Sequence, residues 1–219
     1  MIDKNKIIGW WNTYKEEFNY DEHKKNSDCY AGMYDIVETQ FLYSVIRNVK
    51  PSKIIEIGPN MGWTSYVMLE AMKANENKSE LISFDLIDNS LCLDRNGDKI
   101  SRRLIVGDVK ETITDYMINN ADFVFIDAEH TEDFSRWYCN RILNNIKKDT
   151  IIFIHDWEGK EGDKDGEFFG VIKYAVEPGI IKRIFNIMDY VLENNISRTP
   201  NNVGYAKGDR SPTEVCIRI

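Results

Sequence analysis

Ile54-Ile55-Glu56-Ile57-Gly58-Pro59-Asn60-Met61-Gly62-Trp63-Thr64-Ser65 passes from an apolar run, through a turn with glycines at 58 and 62, into a helical pattern. The run from Ile54 to Ile57 reads as a buried strand. Thr64 or Ser65 is available to cap the helix that follows. A strand, a glycine turn and a helix N-terminus present backbone N–H groups to a ligand. Taken alone, the turn fits an ordinary strand-to-helix connection as well as it fits a nucleotide or nucleoside site.

On either side of this stretch the pattern is regular. Upstream, residues 2–20 carry Ile7, Ile8, Trp10, Trp11, Tyr14 and Phe18 at helical spacing, and residues 33–49 form a second amphipathic pattern stopped by Pro51. Residues 21–29 read as a loop, with His23 exposed in it. Downstream, helix 63–75 is followed by strand 81–86, a polar loop over 89–99, strand 104–108 and a short helix near 110–119. Strand 122–127, helix 131–146 with Thr131 as N-cap, and strand 150–156 complete the alternation. Continuous apolar strands alternating with helices imply a parallel sheet covered on both faces, with right-handed crossovers. Residues 158–167 read as a surface loop, 168–177 as a helix, and 181–193, 203–207 and 214–219 as strands. The expected fold is α/β, a Rossmann-like, doubly wound, mostly parallel seven-stranded sheet. Residues 1–219 read as a single domain, with N-terminal helices over 1–50 and the core over 51–219.

The chain has 219 residues, is 42% hydrophobic and 29% charged, and carries a net charge of −8, which argues against charge-driven binding to nucleic acid or anionic membrane. Apolar runs are strand-length, and the first residues lack the apolar core of a signal peptide. Cys29, Cys92, Cys139 and Cys216 are scattered without metal-binding spacing, the pattern of reduced thiols in a cytoplasmic protein.

In open parallel sheets ligands bind beyond the carboxyl ends of the strands. Here those ends carry Glu56 and Gly58, then Asp85, Gly107-Asp108, Asp127 with Glu129 and His130, and His155-Asp156. Asp85, at the end of the second strand, is spaced from Gly58 to accept hydrogen bonds from ribose hydroxyls. Asp108 fits an adenine amino group or the N-cap of the next helix. A pyrophosphate needs G-x-G-x-x-G, whereas Gly58-Pro59-Asn60-Met61-Gly62-Trp63 lacks the middle glycine and loses a donor at Pro59. The turn better suits an adenosine ligand with an amino-acid tail, whose ammonium would seek a carboxylate such as Glu56.

E-x-G-x-x-x-G at 56–62, Asp85 and Gly107-Asp108 resemble class I S-adenosylmethionine-dependent methyltransferases. Asp122 to His130, Ile154-His155-Asp156-Trp157 and Gly170-Val171-Ile172-Lys173 are similar to small-molecule O-methyltransferases that include sugar-modifying enzymes of the macrocin and mycinamicin type. The resemblance spans about residues 30–207. It implies S-adenosylmethionine held by Glu56, Gly58, Pro59, Asn60, Gly62, Trp63, Asp85, Gly107, Asp108 and Asp127. It also implies a divalent cation, Mg²⁺ or Mn²⁺, on Asp127 and Asp156, with His130 as general base. His155 stands where the sugar enzymes have a carboxylate, so it is either a third cation ligand, a base, or an orienting group.

The implied activity is O-methylation of a sugar hydroxyl in a glycan or glycoside, such as a deoxyhexose like rhamnose. A catechol-like acceptor is the alternative. A nicotinamide-dependent oxidoreductase and a non-catalytic adenosine-binding domain are the more distant ones. The loop at 157–168, the N-terminal helices and residues 30–34 are expected to cover the acceptor, with Trp157, Phe168 or Phe169 stacking on it. The implied partner is a small-molecule or glycan substrate, with no nucleic acid or membrane, and a homo-oligomer is left open.

Overall fold

The apolar run at 54–57 lies in β1 (Lys53–Ile57), which sits inside the sheet. In the computed structural model, which describes residues 3–27, 34–89, 100–156, 166–196 and 214–218, six further strands join it. They are β2 (Ser79–Asp85), β3 (Ile100–Val106), β4 (Phe123–Ile126), β5 (Ile151–Ile154), β6 (Ile181–Asn186) and β7 (Glu214–Arg218). The order is β3-β2-β1-β4-β5-β7-β6. The first five strands run parallel, and β7 is antiparallel to both β5 and β6. Strand order reverses between β1 and β4, so a crevice opens beyond their carboxyl ends.

Apolar residues fill both faces. Ile54, Leu81, Phe123 and Phe153 point to one side, against α1 (Lys4–Tyr14), α3 (Ile36–Val49) and α4 (Trp63–Asn75). Ile55, Ile82, Val124 and Ile152 point to the other, against α5 (Val109–Thr112), α6 (Asp115–Asn120), α7 (Glu132–Tyr138) and α8 (Glu167–Val171). This two-sided burial is why these strands read as unbroken apolar runs. No helix among the described residues is long and apolar enough to cross a membrane.

Several boundaries differ from the sequence reading. The segment 21–29 is not all loop: α2 (Tyr20–Asn26) forms because the Asn19 side chain accepts the Glu22 N–H. His23 is half-buried, stacked on Phe18 and bonded to the Tyr66 hydroxyl at 2.7 Å. The helix near 110–119 is two short ones, each with its own side-chain cap, Asp108 and Thr114. The helix from Thr131 widens into a π turn over Cys139–Leu143. The strand expected over 181–193 stops at Asn186, whose side chain accepts the Asp189 N–H and starts α9 (Ile187–Glu193). The strand expected at 203–207, the stacking residue Trp157 and residues 30–33 lie outside the described residues.

Candidate active site

The glycine turn closes tightly on its neighbours. Gly58 has φ +82°, and a Cβ there would lie 1.8 Å from the Asp127 carbonyl oxygen, so only glycine fits between the ends of β1 and β4. Asn60 adopts φ +46°, and its N–H donates to Asp85 Oδ2 at 3.0 Å. The Gly107 N–H donates to the Asp85 carbonyl at 2.8 Å. Gly62, at φ +88°, is the N-cap of α4. Gly58, Asn60, Gly62, Asp85 and Gly107 therefore gather at one edge, with the half-buried Asp85 carboxylate anchoring the turn. Pro59 is buried, and its carbonyl accepts the Gly62 N–H at 2.8 Å.

Three expected cofactor contacts have other work in this structure. Glu56 is fully buried and accepts hydrogen bonds from Thr64, Ser65 and Ser83 at 2.7, 2.5 and 2.5 Å. Its carboxylate ties β1 to the start of α4 and to β2, and does not face a ligand's ammonium. Burial raises this carboxyl, and the three hydroxyl donors work against that rise. The Trp63 ring is 2% exposed and its Nε1–H donates to Thr39 Oγ1 at 3.2 Å, so the indole belongs to the core between α3 and α4. Asp108 caps α5 by accepting the Lys110 N–H at 2.8 Å, the second of the two roles open to it.

The acidic half lies beside Gly58. Asp127 follows β4 directly and accepts a short hydrogen bond from the Tyr34 hydroxyl. His130 Nε2 lies 3.5 Å from Asp127 Oδ1. His130 Nδ1 lies 2.8 Å from Glu167 Oε2, and the Tyr138 hydroxyl donates to Glu167 Oε1 at 2.7 Å. His155 is 1% exposed, and its ring packs 4.2 Å from that of Tyr34. His155 Nδ1 approaches Asp127 Oδ1 to 3.4 Å and Asp156 Oδ1 to 3.5 Å, yet neither ring nitrogen is aligned for a hydrogen bond.

These contacts set the charge states. Burial would raise the Asp127 carboxyl, but the charge of the adjacent His155, the His130 imidazole and the Tyr34 hydroxyl hold it well below the usual carboxylate range. Hydrogen bonds to Asp127 and Glu167 lift His130 to about 10, against the burial that would lower it. Burial pulls His155 down, but Asp127 and Asp156 outweigh it and lift the imidazole to about 9.

Asp127, His130 and Asp156 each offer a donor atom within 4.8 Å of the others. Asp156 takes φ +53°, and its Oδ1 is buried with no hydrogen-bond partner among the described residues. A buried carboxylate oxygen without a hydrogen-bond partner, beside a second carboxylate, fits a divalent cation such as Mg²⁺ or Mn²⁺, with the His130 imidazole at the same centre free to act on a proton. The converging set thus includes His130 in place of the expected His155, which the Tyr34 ring covers. Tyr34, assigned above only to a cover, is a direct partner of Asp127. Glu167, read as the end of a surface loop, is buried against His130. Its sequence context offers only an acid ahead of a helical pattern, which carries no sign of a long-range partner.

Residues 55–157, from β1 to just beyond β5, match the model of a family described as a methyltransferase domain. No curated protein matches the chain at the level of sequence. Among solved structures, an S-adenosylhomocysteine-bound methyltransferase of Podospora anserina is 15% identical, with 97% of this chain and 88% of that one covered at a TM-score of 0.52. An O-methyltransferase of Bacillus cereus in complex with S-adenosylhomocysteine is 12% identical, with 100% and 93% covered at 0.53. TomG, an O-methyltransferase of tomaymycin synthesis from Streptomyces achromogenes in complex with S-adenosylmethionine, is 12% identical, with 100% and 91% covered at 0.54. At these identities the likeness is one of fold. Residues 55–157 thus resemble a methyltransferase domain, and the chain shares the fold of these methyltransferases.

Proposed function

We propose that the protein is an O-methyltransferase that methylates a sugar hydroxyl in a glycan or glycoside. The observation that carries this reading is the convergence of Asp127, His130 and Asp156 next to the glycine turn. A domain that only bound adenosine would have no use for that set. The B. cereus and S. achromogenes neighbours, both described as O-methyltransferases, support oxygen as the acceptor atom. The sugar rests on the resemblance of residues 122–130 and 154–157 to sugar-modifying enzymes.

When bound, S-adenosylmethionine supplies a methyl group on a sulfonium, and a divalent cation supplies positive charge for the developing alkoxide. The rest falls to the protein. The turn at Gly58 to Gly62 would hold the methionine end and Asp85 the ribose. Asp127 and Asp156 would hold the cation, and His130 would take the acceptor's proton at Nε2. With Asp127 free, His130 carries its own proton through neutral pH. It acts as a base only in the fraction that has lost that proton, a fraction that engagement of the Asp127 charge would enlarge. A catechol-like acceptor is the second reading, favoured by the same donors, because two adjacent oxygens suit one cation in a catechol as in a sugar diol.

The test is transfer of a labelled methyl group from S-adenosylmethionine to a panel of glycosides and catechols, with Mn²⁺, Mg²⁺ or EDTA. Labelled glycosides are expected, with activity lost in EDTA. Label in catechols alone would select the second reading, and full activity in EDTA would remove the cation. His130→Ala is expected to lose about 10²–10⁴-fold in kcat with S-adenosylhomocysteine affinity retained. Calorimetric binding of NAD but not S-adenosylhomocysteine would overturn the whole reading.

A further inference from the structure

Glu167 has no part in the reaction described above, yet its placement is tightly determined. It is the first residue of α8 and is 2% exposed. Two features bring α8 against α7. Thr131, the N-cap of α7, forms an isolated antiparallel bridge with Gly166. Gly170 lies so close to α7 that an added Cβ would be 1.7 Å from Ser135 Oγ and 3.1 Å from the Glu132 carbonyl oxygen. With the helices fastened by backbone and glycine, no charge is needed between them. A buried carboxylate is costly unless its oxygens are fully engaged. Both are engaged here: Oε2 on His130 Nδ1 at 2.8 Å, and Oε1 on the Tyr138 hydroxyl at 2.7 Å.

An imidazole has one nitrogen to spare when the other is held, and the partner of the held nitrogen decides where the free one points. We infer that Glu167 is a positioning residue: it holds His130 by Nδ1–H, so that Nε2 faces Asp127 and Asp156 at the point where the acceptor's proton is taken. This rests on the methyl-transfer reading of the same site. The proton leaves the acceptor oxygen for Nε2, while the Nδ1 proton stays shared with Glu167. Tyr138, 0% exposed, keeps the carboxylate from swinging away by binding its other oxygen.

The test combines a spectroscopic and a kinetic reading on the full chain. With histidine side chains labelled by ¹⁵N, and His130 assigned by its loss in His130→Asn, the wild-type ring is expected to show a slowly exchanging, downfield Nδ1–H. Glu167→Ala should abolish that resonance and lower kcat by about 10–100-fold. KM for S-adenosylmethionine should stay within about twofold, since the turn that holds it is untouched. Glu167→Asp, a shorter carboxylate, should fall between wild type and Glu167→Ala. Absence of a protected Nδ1–H in the wild type, or full kcat in Glu167→Ala, overturns the proposal. If Glu167→Ala fails to fold, the wild-type resonance decides alone. If the wild type methylates no hydroxyl acceptor, the reaction assignment falls, while the resonance still reports whether Glu167 holds the ring.

Discussion

Single residues carry much of the strain and charge in this site. Gly58 is the clearest case, since its positive φ and the Asp127 carbonyl at 1.8 Å from an added Cβ leave no room for a side chain. Gly58→Ala should destabilise the protein by about 1–3 kcal/mol, the usual cost of overpacking, and weaken S-adenosylhomocysteine binding as β1 and β4 part. Urea unfolding and calorimetry check the two effects. His130 makes a pH-dependent contribution to stability. Its folded pKa of about 10 lies above the ordinary value of 6.5, so the stabilisation is complete below the ordinary value and disappears as pH rises through about 10. The difference in unfolding midpoint between wild type and His130→Asn should therefore shrink as pH is taken from neutrality past that value. A constant difference would mean that His130 is not held as the cation. Glu56→Gln keeps the volume but leaves one acceptor oxygen for three hydroxyls. It should cost about 1–3 kcal/mol, for the buried hydroxyl left unpaired.

At the level of elements, the fit between α7 and α8 is the feature most open to a direct test. Gly170→Ala puts a methyl group against Ser135. Thermal unfolding should show a loss of about 1–3 kcal/mol. If the helices separate, His130 also loses Glu167, and kcat should fall more than stability does. Four of the five parallel strands, β1, β2, β4 and β5, were legible because they are buried on both faces and read as largely apolar runs, whereas β3, at the sheet edge, carries Arg102 and Arg103 and was legible only in its last part. Residues 187–193 were not legible. Ile187 and Val191 are both buried and four apart, a helical spacing, but with Tyr190 between them the segment has a strand's composition. The deciding signal was Asn186 capping the Asp189 N–H, a local bond that an apolar pattern does not reveal. The same holds for α2, where Asn19 sets the start of a helix in a polar stretch.

For the whole molecule, strand order converts a one-dimensional pattern into a site. The glycine turn after β1 meets Asp127 because β1 and β4 are neighbours across the reversal of winding, and Asp127 meets Asp156 because β4 pairs with β5. Asp127, His130, His155 and Asp156 could be placed at that edge from sequence, since each ends a strand that the apolar runs delimit. Their division of labour could not. It depends on Tyr34 lying over His155 and on Glu167 reaching His130, contacts made across the fold. Ligand-linked stability is the molecular-scale prediction. S-adenosylhomocysteine at about 100 times its dissociation constant should add about 2.7 kcal/mol to folding. NAD at the same concentration should leave the melting curve unmoved.

Tyr34 and Glu167 share a further property: neither lies within the matched segment 55–157. The cofactor turn and the donor carboxylates are inside it, whereas the groups that hold Asp127 and His130 come from before and after. The glycine-turn half of the site and the Asp127–His130 half are thus modular to different degrees. Changes in the flanking segments would alter how Asp127 and His130 are held while leaving the glycine turn intact, and a fragment cut to the matched segment would keep the carboxylates but lose the partners that orient them.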